Sequence, residues 1–366
     1  MFANDLLYQI SLTHVNGIGP IQSRILLEHF NTAENIFKAS KKALSAIEGI
    51  GEIKANLIKS FNDFKIAEAE IKFIEKHHIE PLFLSDKNYP QKLLNCYDAP
   101  TLLYFKGNAN LNQQKSISII GTRNNTEYGK KITEKLVEDL KEYSVTIYSG
   151  LAFGIDAIAH KAALKHNLPT IGVLAHGFNS IYPQQHQSLA KEMVLNGGLL
   201  TEFSNNVKAD KHNFPRRNRI VAGISDATIV IETDVKGGSM ITAELAFNYN
   251  KDVFAIPGRI TDSKSSGCLK LIHQNKAALV SSAQQIVELL GWVTPPKKKQ
   301  TQRMLFIDLS KDELKIVEIL KQKEQVGIDE IQLKSQLSSS AIAAALLNLE
   351  LQNIITSLPG KMYQLN

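Results

Sequence analysis

From Lys115 onward the chain repeats one pattern: a short run of β-forming residues, a turn carrying glycine, then a helical stretch. The runs fall at 116–120, 145–149, 170–174, 198–202, 227–232, 252–256 and 278–280. Strands that alternate with helices at this spacing can pair only in parallel through crossovers, so the pattern predicts an α/β, Rossmann-like, doubly wound and mostly parallel sheet. In that architecture the loops leaving the carboxyl ends of the strands converge on one crevice, where ligands bind. Those loops hold Gly121, Thr122 and Arg123; Gly150 and Gly154; Gly177; Gly237, Gly238 and Ser239; and Gly258 with Arg259. Glycines there let main-chain N–H groups approach an anion, and the helices that follow aim their positive ends at it.

The loop after the fourth strand carries the strongest chemical signal. Residues 208–219 read KADKHNFPRRNR, with Lys208, Lys211, Arg216, Arg217 and Arg219 around Phe214 and against a single Asp210. Cations neutralise phosphates, and an aromatic among them offers a face on which an unpaired base can stack. A solvated basic loop is the competing reading of the run taken alone. The formal charge of +6 favours a polyanionic partner.

Two nucleotide-binding classes are disfavoured. Gly150 and Gly154 lack the G-x-G-x-x-G spacing of a dinucleotide site, and the second strand ends in Ser149 where a ribose-binding carboxylate is required. No G-x-x-x-x-G-K-[ST] run is present, which argues against a P-loop ATPase. Asp156, His160, His176, Glu202 and Glu232 are read as structural, with Asp156 expected to cap a helix and His160 to be packed or solvated. Glu244, in GGSMITAE, is the exception. Residues 237–244 loosely resemble the Gly-Gly-x-Gly-Thr-x-x-Glu element of a family of nucleotide phosphoribohydrolases with the same fold, but Met240 replaces a glycine.

The flanks differ from the centre. Residues 1–80 are expected to be helical, with two similar elements, Asn16-Gly17-Ile18-Gly19 and Glu48-Gly49-Ile50-Gly51, each followed by an apolar helix. Both resemble helix-hairpin-helix units of a SAM-like domain, whose turns can meet a phosphate or only let two helices pack closely. Residues 81–292 would form the Rossmann-like domain, its core beginning near 115. The stretch Thr294-Pro295-Pro296-Lys297-Lys298-Lys299 marks a linker at 293–307. Residues 308–366 are expected to give three helices and a strand pair around Pro359-Gly360, the order of a winged helix. Its third helix, at 338–351, holds no Lys or Arg, so duplex reading is disfavoured and partner packing preferred.

Cys96 and Cys268 have no metal-ligand spacing and fall in a chain with 43% apolar residues, which indicates neither a disulfide framework nor a zinc site. No metal or cofactor is expected. The first residues, MFANDLLYQI, lack a basic-then-apolar signal, and no apolar run of about 18 residues occurs, so a cytoplasmic protein is expected.

Five elements in order resemble one family, DNA-processing protein A, also called DprA or Smf. They are Ile120-Gly121-Thr122-Arg123 with Tyr128-Gly129; Ser149-Gly150-Leu151-Ala152 with Gly154-Ile155-Asp156; Phe214-Pro215-Arg216-Arg217-Asn218-Arg219; Gly238-Ser239 with Thr242-Ala243; and Ala255-Ile256-Pro257-Gly258. The resemblance implies a non-enzymatic protein that binds single-stranded DNA, dimerises, and delivers the strand to the RecA recombinase in natural transformation. Arg123, Lys211 and Phe214 match the family's strand-binding positions. Leu269, Leu271 and Ile272 fall in the segment that in the family lies near the dimer and recombinase-contacting surface, or else belong to the core. Here Leu269 and Lys276 replace the family's usual Asn and Gly. The alternatives are an enzyme that cleaves nucleotide monophosphates using Glu244, and an adaptor whose basic segment is incidental.

Overall fold

The computed structural model describes residues 3–292 and 309–365, apart from 324, 353 and 359. The expected linker at 293–307 and Pro359 lie outside the described residues. The chain divides into two compact units, one ending at Thr294 and one beginning at Pro295.

The first unit starts with six helices: α1 (Ala3–His14), α2 (Pro20–Phe30), α3 (Ala33–Lys38), α4 (Lys41–Ser45), α5 (Gly51–Ser60) and α6 (Phe64–Lys76). Gly17 and Gly49 turn the two hairpins with φ of 75° and 84°. Leu12, Leu26, Leu44, Ala55 and Ile58 close a core between them. A second cluster, including Ile10, Ala67 and Ile74, continues into strand residues Phe83, Leu102 and Tyr104, so the helices pack directly onto the sheet.

The sheet has nine strands: β1 (Glu80–Phe83), β2 (Leu102–Gly107), β3 (Ser116–Ile120), β4 (Thr146–Ser149), β5 (Thr170–Val173), β6 (Gly197–Thr201), β7 (Ala227–Val230), β8 (Asp252–Ala255) and β9 (Ala278–Leu279). Their order is β1-β2-β6-β5-β4-β3-β7-β8-β9. All neighbours from β6 to β9 run parallel, and β1 and β2 add an antiparallel edge. The seven strands from β3 onward are those expected from the alternating pattern; β1 and β2 are additional. Crossovers are made by α8 (Glu127–Leu140), α9 (Ile155–Lys165), α10 (Gln187–Leu195), α11 (Asn213–Gly223), α12 (Gly238–Asn248) and α13 (Ser266–His273), with short α7 (Gln91–Leu94) before β2 and α14 (Ala283–Leu289) after β9 once these are placed in chain order.

Side chains alternate across the sheet as its pleat requires. Ile117, Ile119, Ala227 and Ile229 face α8, α9 and α14, while Ile120 and Val230 face α11, α12 and α13. Strands buried on both faces explain the nearly continuous apolar runs in the sequence. Successive crossovers from β3 go one way to β4, β5 and β6, then reverse to β7, β8 and β9. The loops after β3 and β7 therefore part at the centre of the sheet and open a crevice.

The second unit contains α15 (Lys311–Leu320), β10 (Val326–Gly327), α16 (Ile328–Ser335), α17 (Ser339–Leu351), β11 (Ile355–Leu358) and β12 (Met362–Leu365), its strands ordered β10-β12-β11. Ser310 accepts from the Glu313 N–H and Glu313 accepts from Ser310 N, a reciprocal cap that starts α15. Ile316, Ile331, Ile342, Leu346 and Ile355 form its core. This is a winged helix.

Candidate nucleic-acid interface

The crevice is a cleft of about 770 Å³. Four chain segments supply most of its lining, with Tyr182 and Lys264 added from two others. After β3 come Gly121, Thr122, Arg123 and Asn124; after β4, Gly150 and Ala152; before and within α11, Asp210, Lys211, Phe214, Arg217 and Asn218; after β7, Thr233, Asp234, Gly237, Gly238 and Ser239.

Local bonding explains why the first two loops stay in place. Thr122 N donates to Glu232 O at 2.7 Å, and Thr122 O accepts from Ile155 N at 3.2 Å. Gly154 ends the second loop at φ 78°, where a Cβ would collide with the carbonyls of Thr122 and Arg123, so only glycine lets the loops approach this closely. The buried Glu232 carboxylate accepts from Thr126 N and Thr126 Oγ1 at the head of α8. It is structural, as expected.

The expected basic loop at 208–219 folds differently. Asp210 caps its own turn, accepting from His212 N at 2.9 Å. Helix α11 begins at Asn213, with Pro215 in the first turn, where no intrahelical N–H donor is needed. A helix turns about 100° per residue, so Phe214, Arg217, Asn218 and Val221 face the cleft together while Arg216 and Arg219 point elsewhere.

Arg219 is spent on structure: its Nη1 donates to Asp98 O, and its Nη2 lies 2.5 Å from Glu202 Oε2, both side chains nearly buried. Arg216 lies over the Phe203 ring at 5.0 Å and 3.6 Å from Glu202. Neither lines the cleft, and neither does Arg259, which is exposed beyond β8. Arg217 reaches the cleft but at its floor, 6% exposed, donating through Nη1 to Val173 O. Burial pushes its guanidinium below its ordinary pKa, opposed by the Asp156 charge. Burial likewise raises the Asp156 carboxyl, with Arg217 as the largest opposing influence. Asp156 is the second residue of α9 and accepts from Ala152 N at 3.4 Å, so it braces the Gly150 loop and is not the helix cap that the sequence led us to expect; Gly154 holds that position.

What remains at the lip is compact. The Arg123 guanidinium lies 5.2 Å from the centroid of the Phe214 ring, and Tyr182 lies 6.0 Å from the same ring. Lys211 is exposed beside them. Arg123 and Lys211 carry no ion pair among the described residues, and their guanidinium and ammonium face the same cleft. Gly237 and Gly238 open α12 opposite, with nothing within 4 Å of Gly238 on its side-chain side. The arrangement offers unbridged cations, a half-exposed aromatic face and helix N-termini along one groove.

Three histidines support these loops from behind, His160 and His176 in the structural role read from the sequence and His186 not singled out there. His160 is fully buried, 2.6 Å from Gly150 O and 2.7 Å from Thr170 Oγ1, and desolvation lowers its pKa to about 4. His186 contacts Leu151 O at 3.0 Å, and His176 accepts from Tyr182 N at 3.1 Å. Glu244 lies outside the cleft, 3.2 Å from Lys276, one of the two positions where the chain departs from the family pattern. Leu271 is fully buried in the main core and belongs to no surface, whereas Leu269 and Ile272 are half-buried.

A doubly wound sheet with a cationic and aromatic lip at its switch point, preceded in the chain by a helical module and followed by a winged helix, defines the class of fold. Comparison with known proteins narrows the class. The family model for DNA recombination-mediator protein A matches residues 80–291, the DprA winged helix domain matches 301–361, and a SAM-like helix-hairpin-helix tandem matches 10–61. Protein Smf of Synechocystis is 32% identical over the whole of both chains. DNA processing protein DprA of Bacillus subtilis is 41% identical over 58% of this chain and 71% of its own. The X-ray structure of DNA processing protein A from Streptococcus pneumoniae matches with a TM-score of 0.64 at 33% identity, covering 77% of this chain and 97% of that one. A Helicobacter pylori DNA processing protein A structure, described for its single-stranded DNA binding mode, matches at 0.53 and 32% identity, over 58% of this chain and 96% of that one. The chain belongs to the DNA processing protein A family, the DNA recombination mediators.

Proposed function

We propose that the cleft binds single-stranded DNA without cleaving it, and that the protein acts as a dimer, in the cytoplasm, to load RecA recombinase onto incoming strands during natural transformation. The observation that carries the reading is the convergence of Arg123, Lys211 and Phe214 on one groove. Arg123 and Lys211 hold phosphates, while the helix N-termini at Gly154 and Gly237 and the glycine N–H groups complete the anion site. Phe214 stacks on a base with the face that Arg123 leaves free. Such a site grips unpaired strands with little sequence preference. The single-stranded DNA binding described for the Helicobacter pylori relative supports it.

Dimerisation presents two grooves to one strand and can raise apparent affinity by about 10² or more without a new type of contact. Leu269 and Ile272 are the surface residues proposed for that interface or for the recombinase. The nucleotide-cleaving alternative asks Glu244 to act on a bound monophosphate, yet Glu244 is paired with Lys276 outside the cleft. That supports binding alone.

The test is a recombinase filament assay on an oligonucleotide first covered by single-strand binding protein. Filaments should form faster with this protein and not with its Lys211→Ala variant. Equal affinity for duplex and single-stranded DNA, or release of free base from nucleotide monophosphates, would count against the proposal.

A further inference from the structure

The two hairpin turns of the helical module are poor DNA contacts, because the cation beside each is engaged. Arg24 Nη2 donates to Leu94 O at 2.9 Å and Cys96 O at 3.1 Å, and Lys54 Nζ donates to Gly49 O at 2.6 Å. Glu52 adds a negative charge to the second turn. The module instead presents a buried carboxylate to the rest of the unit. Glu70 sits on α6 between the apolar contacts of Ala67 and Ile74, and is 4% exposed.

Its partner is the chain that leads into the cationic lip. Asn205 N donates to Glu70 Oε1 and Oε2 at 2.9 and 3.2 Å, and Asn205 Nδ2 donates to Oε2 at 2.8 Å. His14 Nε2 lies 3.1 Å from Ser204 Oγ on the same side. On the other side Gly177 N donates to Val207 O at 2.8 Å, and Asn179 N to Asn205 O at 3.3 Å. A Cβ at Gly177 would collide with the carbonyls of Ser204 and Asn205. Residues 204–207 are thus clamped between the helical module and the loop after β5. Lys211 and Phe214 follow within one short turn and the start of α11.

An apolar side chain in place of Glu70 would leave the buried Asn205 N–H and side-chain amide without an acceptor, so the carboxylate satisfies those donors as well as packing among apolar neighbours. The Asn205 N–H, shared between both carboxylate oxygens, and the Asn205 side-chain amide converge on Glu70 and do something an apolar contact cannot, which is to define where that segment stands. We infer that Glu70 is a positioning residue for strand binding: the helical module acts on the DNA indirectly, by fixing the segment that places Lys211 and Phe214 at the cleft. The inference rests on the single-strand-binding reading above.

A double-mutant cycle tests it in the full chain. Glu70→Leu, Glu70→Gln, Lys211→Ala and Glu70→Leu with Lys211→Ala are compared by fluorescence anisotropy on oligothymidine across a salt series, with melting curves recorded for each. Glu70→Leu should stay folded at the assay temperature, with a lowered melting temperature because two Asn205 donors lose their acceptor, and should weaken binding about tenfold and flatten the salt dependence by about 0.7 of a log–log unit, one phosphate contact. Glu70→Gln, which still offers an acceptor to Asn205 N, should stay close to wild type. The double variant should bind weaker than Lys211→Ala alone by clearly less than the Glu70→Leu factor, the remaining loss coming through Phe214. A Lys211→Ala defect with no Glu70→Leu defect overturns this inference and leaves the proposed function intact, as does full additivity of the two. Absence of oligothymidine binding by the wild type overturns both.

Discussion

Salt dependence separates the charge pattern of residues 208–219 from the geometry of the cleft. If its five Lys and Arg residues and Arg123 all met phosphates, the slope of log K against log salt would be about −4.2, at about −0.7 per contact on a single strand. Between 50 and 200 mM salt that is a loss of roughly 300-fold. The structure removes most of these cations from the interface. Arg219 is held by Asp98 and Glu202, Arg216 lies over Phe203, Arg217 is buried beside Asp156, and Lys208 is exposed away from the cleft lining. Lys264, which also lines the cleft, is bridged to Asp234 at 3.2 Å. Arg123 and Lys211 remain as the unbridged cations lining it. Two contacts give a slope of about −1.4, or roughly sevenfold over the same range. Anisotropy titrations of a labelled oligothymidine in that range measure the slope directly. Lys211→Ala should flatten it by about 0.7, and Arg219→Gln should leave it unchanged while lowering stability by about 1–3 kcal/mol, because the buried Glu202 then keeps only its longer contact with Arg216 at 3.6 Å. A wild-type slope steeper than about −3.5, or equal flattening by the two variants, would refute the division of this segment into contact and structural residues.

Two further outcomes follow from the site. Phe214→Ala should weaken oligothymidine binding by about 1–3 kcal/mol while Phe214→Trp retains it; equal losses in both variants, read by the same titration, would remove the stacking role. His160 has a folded-state pKa of about 4 against an ordinary value of 6.5, so the unfolded chain takes up the proton first and stability falls as pH drops from about 6.5 towards 4, by roughly 3 kcal/mol in all. Urea midpoints of wild type and His160→Gln across that window report it, and the variant should show the shallower pH dependence.

The sheet was legible from sequence because its physics is local. Ile117, Ile119, Ile229 and Val230 belong to strands buried on both faces, and such strands announce themselves as short apolar runs between turns. β1 and β2 were not legible in the same way. β1 contains Pro81, which demotes a run by its sequence alone, and β2 joins the sheet antiparallel to β6, a pairing between residues such as Phe105 and Leu200 that no local pattern encodes. The rim glycines and Arg123 were legible as a phosphate site because strand ends in this topology must converge. Glu70 was not. Read on an amphipathic helix, a glutamate is taken as solvent-facing, and only the arrival of Asn205 from a distant loop makes its burial tenable.

Helix α11 shows why charge density alone misjudges a binding surface. Its cations were counted as a block, yet a helix distributes neighbours around its axis, and only positions spaced as Phe214, Arg217, Asn218 and Val221 share a face. The remaining arginines then fall opposite carboxylates on the sheet and its loops, Glu202 and Asp98, where they tie α11 to β6 and to the segment before β2. That tie bears on the proposed interface, since α11 carries Phe214 in its first turn. Loss of Arg219 and loss of Lys211 therefore impair the protein by different routes, one through the fold that holds the aromatic in place and the other through the strand itself. A substitution in this run can be interpreted only after its helical phase is known, because residues three positions apart share a task that adjacent ones do not.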